Sequence, residues 1–143
     1  MLRHILLAVD GSPGGRRAAD FARQLMDAPG VRLTALVVFE PPQVVPFSPL
    51  ESYALTASHP SPERLAAAQA LTDEITRDLG KDRVHTRMEV GHPADVICQV
   101  ADQLDVDLIV VGARGLNPIV TWLLGSVSEK LVRHAKRPVT VVR

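Results

Sequence analysis

Ile5-Leu6-Leu7-Ala8-Val9-Asp10-Gly11-Ser12-Pro13 is the stretch on which the fold turns. Five apolar residues in a row, without alternation, describe a strand buried on both faces, the habit of parallel sheets. Asp10-Gly11 closes it abruptly, and Ser12-Pro13 then supplies an N-cap followed by a proline at the first helical position. Apolar residues at Ala18, Phe21, Ala22, Leu25 and Met26 continue as an amphipathic helix that stops at Pro29-Gly30. Leu33 to Phe39 is a second buried strand. The chain opens as strand, helix, strand.

Outward from there the alternation continues. Pro62-Glu63 begins a helix with Leu65, Ala68, Leu71, Ile75 and Leu79 as its apolar positions, ended by Gly80. Val84, Thr86, Met88 and Val90 alternate with His85, Arg87 and Glu89, which predicts a strand with one wet face or an edge position. After Gly91-His92-Pro93 comes a helix carrying Val96, Ile97, Val100, Ala101 and Leu104, and then a fully apolar strand from Asp107 to Val111 that ends at Gly112. A helix starting near Gly125-Ser126, with Val127, Leu131 and Ala135 inward, and a last strand over Pro138–Val142 complete the chain. Five strands alternating with helices predict the α/β class. The expected architecture is a single doubly wound (Rossmann-like) domain over residues 1–143, a five-stranded parallel sheet with helices on both faces. Glu40–Pro62 differs in texture, holding six of the eleven prolines and the only tyrosine, Tyr53. It reads as an extended surface loop, long enough for a lid or a variable insert.

The bulk numbers bound the function. A chain of 143 residues that is 46% hydrophobic can bury a core without disulfides or a structural metal. Sixteen basic residues balance sixteen acidic ones, which argues against a dedicated nucleic-acid binder but leaves a small anionic ligand open. The single cysteine, Cys98, has no internal partner for a disulfide, metal or redox pair. Five scattered histidines show no i, i+4 pair for zinc. The apolar start is short and wrongly flanked for a signal peptide, and no run approaches the roughly 20 apolar residues of a membrane helix. The expectation is a soluble cytoplasmic protein.

In an open parallel sheet, ligands bind outside the carboxyl ends of the strands, near the point where strand order reverses. Two such ends are chemically unusual here: Asp10-Gly11-Ser12, and Gly112-Ala113-Arg114-Gly115, the latter followed after nine residues by Gly125-Ser126-Val127-Ser128. Gly112 and Gly115 let backbone N–H groups come close to a ligand because no Cβ intervenes. Gly125 and Ser126 stand at a helix start, where unpaired N–H donors and a partial positive charge attract phosphate. The Ser126 and Ser128 hydroxyls can add donors, and Arg114 a charge. Each piece alone has a plainer reading as turn, cap or surface residue; the combination on one sheet edge points to a polyphosphate. The P-loop pattern is absent, and Asp10–Gly15 lacks the spacing of a dinucleotide fingerprint. A phospho-acceptor domain would need an aspartate after the third strand, where Val90-Gly91-His92 stands. No Ser/His/Asp triad can be assembled.

Gly112-x2-Gly115-x9-Gly125-Ser126 resembles the ATP-binding signature of the universal stress protein family. The likeness extends through Ile5–Ser12, Glu89-Val90-Gly91-His92-Pro93, Leu108–Gly112, Gly125–Ser128, His134-Ala135 and Pro138–Val142. It implies an ATP binder, with Asp10 and Val38 beside adenine and ribose. Val111–Gly115, including Gly112, Arg114 and Gly115, would hold ribose and phosphate, and Gly125, Ser126 and Val127 would wrap the phosphates. Magnesium or manganese would arrive with the phosphates. The resemblance further implies a nucleotide-dependent stress-response or signalling module rather than an enzyme, with weak ATP hydrolysis at most, and a homodimer joined through Val139–Val142. A slow ATPase or phosphotransferase, and a nucleotide-independent interaction protein, are the alternatives. The spacer Leu116–Leu124 is markedly apolar, and Trp122 within it either packs under the loop or meets a partner protein.

Overall fold

The computed structural model describes residues 1–41, 59–115 and 124–143. Among these lie five strands, β1 (His4–Ala8), β2 (Arg32–Phe39), β3 (Val84–Val90), β4 (Leu108–Gly112) and β5 (Val139–Val142). Four helices alternate with them: α1 (Pro13–Leu25), α2 (Pro62–Thr76), α3 (Pro93–Gln103) and α4 (Ser126–His134). The expected order of elements is therefore what the chain builds. The body of the proline-rich segment, with Tyr53, and the spacer with Pro118 and Trp122 lie outside the described residues.

Local chemistry sets the helix starts. α1, α2 and α3 each begin with a proline, whose missing N–H costs nothing in the first turn. Ser12 caps α1, its Oγ accepting the Gly15 N–H at 2.9 Å, and Ser61 caps α2 by accepting from Arg64. α2 stops at Thr76, short of the expected Gly80, because its last turn tightens into a bond from the Leu79 N–H to the Thr76 carbonyl. Asp107 falls one residue before β4 rather than inside it. Its carboxylate accepts the backbone N–H groups of Arg3 and His4 at 2.8 and 2.9 Å, tying the start of β4 to the start of β1.

All strand pairs are parallel, in the order β3-β2-β1-β4-β5. β1 is thus the central strand and its apolar run is fully covered: Ile5, Leu6 and Leu7 are wholly buried. β3 is an edge, which accounts for its polar alternation, and β5 is the opposite edge. One face of the sheet packs Ile5, Leu7, Leu33, Ala35 and Val110 against α1 and α2. The other packs Leu6, Leu36, Ile109 and Val111 against α3 and α4. Helices lie on both faces because the chain runs from β1 outward to β3, then returns past β1 to β4 and β5. A right-handed crossover made in the opposite direction lands on the opposite face.

Candidate functional site

That reversal puts the switch point between β1 and β4. The loop after β1 leads to a helix on one face and the loop after β4 to a helix on the other, the arrangement at which open α/β sheets form their ligand crevice. The two loops that the sequence singled out are the walls of this crevice.

Ser12 joins them. It is fully buried, and its hydroxyl donates to Asp10 Oδ1 at 2.6 Å and lies 3.2 Å from the Arg114 carbonyl oxygen. The Ser12 N–H also donates to Asp10 Oδ1, at 3.0 Å. Asp10 is exposed, but this turn fixes its carboxylate. Gly11 supplies the positive φ of 74° that the turn needs. The second carboxylate oxygen faces the other loop: a Cβ on Gly115 would stand 3.2 Å from Asp10 Oδ2. One acidic side chain therefore spans from strand β1 to the glycine loop after β4.

Gly112 has a different task from the ligand approach expected of it. A Cβ there would stand 2.5 Å from the Gly14 carbonyl carbon and 2.8 Å from the Gly15 nitrogen. Conversely, a Cβ on Gly14 would stand 2.8 Å from the Arg114 carbonyl oxygen. The first turn of α1 presses directly on the end of β4, and both glycines are needed for that contact. Gly14, Gly15 and Ser12 are site-building residues that the sequence reading took as cap and spacing. Their signal was present: two glycines in a helix's first turn carry a propensity cost of about 1 kcal/mol each, which some packing demand has to justify.

The other wall is the start of α4. The Gly125 N–H donates to the Ala113 carbonyl, and the Ser128 hydroxyl, almost wholly buried, lies 2.9 Å from the carbonyl oxygens of Ala113 and Gly125. Ser128 thus spends its hydroxyl holding helix to loop, and Gly125 spends its amide likewise. Ser126 is exposed and Val127 half-buried at the first two helical positions. Gly125 is the N-cap and brings no side chain to close the turn, so among the described residues no side chain caps the first-turn amides, which have the helix dipole behind them.

Val38 and Val111 complete the neighbourhood. Ala8 pairs with Leu36 in the β1–β2 register, so Val38 falls beside Asp10 two residues on. Val111 is buried against α3 and α4, and Val38 is partly so. Arg114 is half-buried and contributes its carbonyl to the Ser12 link. All ten residues expected at the site therefore belong to the carboxyl ends of β1, β2 and β4 or to the α4 start. Among the described residues no three His, Cys, Asp or Glu side chains are grouped to hold a metal ion.

Comparison with known proteins gives one consistent result. The family model described as "Universal stress protein family" matches residues 1–143. A universal stress protein of Thermus aquaticus is 38% identical over 143 residues, covering 100% of both chains. Among solved structures, the universal stress protein UspA from Lactobacillus plantarum superposes with a TM-score of 0.78 at 26% identity, over 100% of this chain and 99% of that one. A universal stress protein in complex with cAMP superposes with a TM-score of 0.68 at 28% identity, over 99% and 97%.

Proposed function

The chain belongs to the universal stress protein family, and on that premise we propose that it holds ATP across the β1–β4 crevice as a nucleotide-dependent stress-response or signalling module. The observation that carries this reading is the open first turn of α4 beside the glycine loop, at the sheet's switch point. Anions settle at such a terminus without a basic patch, which agrees with a neutral chain. Asp10 and Val38 flank the adenosine end, the Val111–Gly115 backbone follows ribose and phosphate, and Ser126 and Val127 present amides to the phosphates. Ser128 and Gly125 shape the cradle by the bonds they make within it. Magnesium or manganese, when bound, neutralises phosphate charge; the phosphates supply most of its oxygens.

The module is a binder rather than a catalyst, and hydrolysis is slow. No lysine follows the glycines as in a P-loop. The cAMP complex of the structural relative supports an adenine nucleotide as ligand class. We further propose a cytoplasmic homodimer joined through β5, whose four residues are all only half-buried at an exposed sheet edge. Among the described residues no helix is long and apolar enough to cross a membrane. A particle that sediments as a monomer at micromolar concentration refutes the dimer.

Calorimetric titration with ATP·Mg and, separately, cAMP tests the site, using wild type and Gly115→Val. Gly115 is exposed and, among the described residues, only the Asp10 carboxylate stands before its Cβ position, so the variant keeps its fold, which circular dichroism checks. Wild-type binding weakened tenfold or more in the variant supports the reading. Absence of nucleotide binding by folded wild type overturns it, and tighter binding of cAMP than ATP replaces ATP as the ligand.

A further inference from the structure

The first turn of α1, pressed against the end of β4, encloses Ser12, which has no exposed surface. A ligand in the crevice does not touch it. Its place as N-cap, with Oγ accepting the Gly15 N–H at 2.9 Å, accounts for the oxygen. It does not account for the hydroxyl hydrogen, which a buried group has to place on some acceptor. Two stand near, Asp10 Oδ1 at 2.6 Å and the Arg114 carbonyl oxygen at 3.2 Å. The nearer one belongs to a carboxylate, and 2.6 Å is the separation of a charge-assisted O–H···O⁻ bond. The hydrogen is therefore directed at Asp10, and the Arg114 carbonyl is the minor acceptor.

This leaves Asp10 with two unlike oxygens. Oδ1 takes two donors, the Ser12 hydroxyl and, at 3.0 Å, the Ser12 N–H. It also fills the space where a Cβ on Gly15 would overlap it. Oδ2 accepts from no donor among the described residues and faces Gly115 in the opposite loop. Asp10 is exposed, and an exposed aspartate ordinarily samples several rotamers that a ligand then has to freeze. A side chain fixed beforehand does not lose that freedom on binding.

We infer that Ser12 is a positioning residue for the nucleotide: its hydroxyl holds the Asp10 carboxylate so that Oδ2 alone is offered to the ligand, in one orientation. The inference rests on the nucleotide reading above and deepens it. An acceptor oxygen presented in this way takes a donor group of the nucleoside, and its negative charge disfavours the phosphates at that end of the crevice. Capping alone would not select serine here, since aspartate and asparagine cap a helix equally well. Neither of them carries a hydroxyl to give to Asp10.

Calorimetric titration of ATP·Mg into wild type, Ser12→Ala, Asp10→Ala and the double variant tests this. A Ser12 that only supports the fold costs the same factor with or without Asp10, whereas a residue acting through Asp10 does not. The expected result is an affinity about tenfold lower in Ser12→Ala, and a further change below about twofold when Ser12→Ala is added to Asp10→Ala. Urea midpoints verify the fold, and Ser12→Gly, which removes the hydroxyl where a helix start tolerates glycine, replaces Ser12→Ala if loss of the cap unfolds it. In nucleotide-free protein, three-bond NMR couplings about the Asp10 χ1 torsion report one rotamer for wild type and an average over rotamers for Ser12→Ala. Folded wild type that binds no ATP overturns the nucleotide reading and this inference with it. Wild type that binds ATP overturns the inference alone if Ser12→Ala binds equally well, loses the same factor in both backgrounds, or keeps the wild-type couplings.

Discussion

Replacing Gly112 by alanine separates packing from ligand binding, because the effect is read without any ligand. The new Cβ would stand 2.5 Å from the Gly14 carbonyl carbon, 2.7 Å from its oxygen and 2.8 Å from the Gly15 nitrogen. All three are backbone atoms of a helix start, so no side-chain rotation relieves them. α1 has to shift away from β4, which disturbs the Ser12 links to Asp10 and Arg114 on the way. Inserting a methyl group into a packed interior costs about 1–3 kcal/mol, and a rigid backbone wall puts this case at the upper end, about 3. Removing a glycine returns about 0.4–1 kcal/mol by restricting the unfolded chain. The net loss is about 2 kcal/mol. With a urea slope of about 2 kcal/mol per molar for a small protein, the unfolding midpoint falls by about 1 M.

Gly115→Ala is the internal control. Among the described residues its Cβ would meet only Asp10 Oδ2, at 3.2 Å, at the end of an exposed side chain rather than a backbone wall. Its midpoint stays within about 0.3 M of wild type, the range of ordinary surface changes. Urea unfolding of the three proteins, followed by circular dichroism in nucleotide-free buffer, is sufficient. A Gly112→Ala midpoint equal to wild type would falsify the packing argument, and equal losses in both variants would show that the loop tolerates no Cβ anywhere.

Ser128→Ala removes a buried hydroxyl from the Ala113 and Gly125 carbonyls; it costs about 1 kcal/mol in the same urea assay and, under the proposed reading, weakens nucleotide binding by loosening the loop. Asp107 is held below the usual carboxylate range by the Arg3 and His4 backbone N–H groups. Its contribution is therefore full above pH of about 4 and lost as pH falls through the depressed value, so Asp107→Asn flattens the acid limb of stability against pH. His4 has a lowered pKa, so the unfolded chain binds its proton more readily than the fold does. Stability then falls as pH drops below about 6.5, and His4→Gln removes that slope, measured by urea midpoints between pH 5 and 7.5.

The strands and helices were legible because this chain uses unambiguous punctuation. The uninterrupted run Ile5–Val9 belongs to a strand covered on both faces, and the alternation of Val84–Val90 to a strand on an edge. Three helices announce themselves with proline. The strand order was legible only as a class, since no local signal distinguishes a neighbour on the left from one on the right. The site was half legible. Glycine after a strand and Gly-Ser at a helix start mark backbone that something must approach closely, but not what approaches. At Gly112 the visitor is the chain itself, the first turn of α1, 98 positions away in sequence. Ser128 misled for a similar reason: a hydroxyl near a helix start is read as a donor, and its direction depends on where Ala113 lies in space.

Ala113 shows how the site and the sheet edge share their backbone. Its carbonyl accepts from Gly125 at 2.6 Å, its N–H donates to the Val142 carbonyl at 2.7 Å, and its neighbour Arg114 accepts from Ser12. One peptide thus lies between the α4 start, the end of the edge strand β5 and the turn after β1. A phosphate on the α4 amides pulls on Gly125 and hence on Ala113; a partner strand along β5 fixes Val142 and hence the same residue. Under the proposed reading both ligands act on one short stretch of backbone, and each can favour the other only as far as that stretch has two arrangements to choose between. Coupling is reciprocal in free energy, so a nucleotide that tightens the dimer must bind the dimer more tightly by the same factor. A dimer whose dissociation constant is unmoved by saturating nucleotide means that Ala113 is a rigid joint, and that the crevice reports its contents by some surface other than β5.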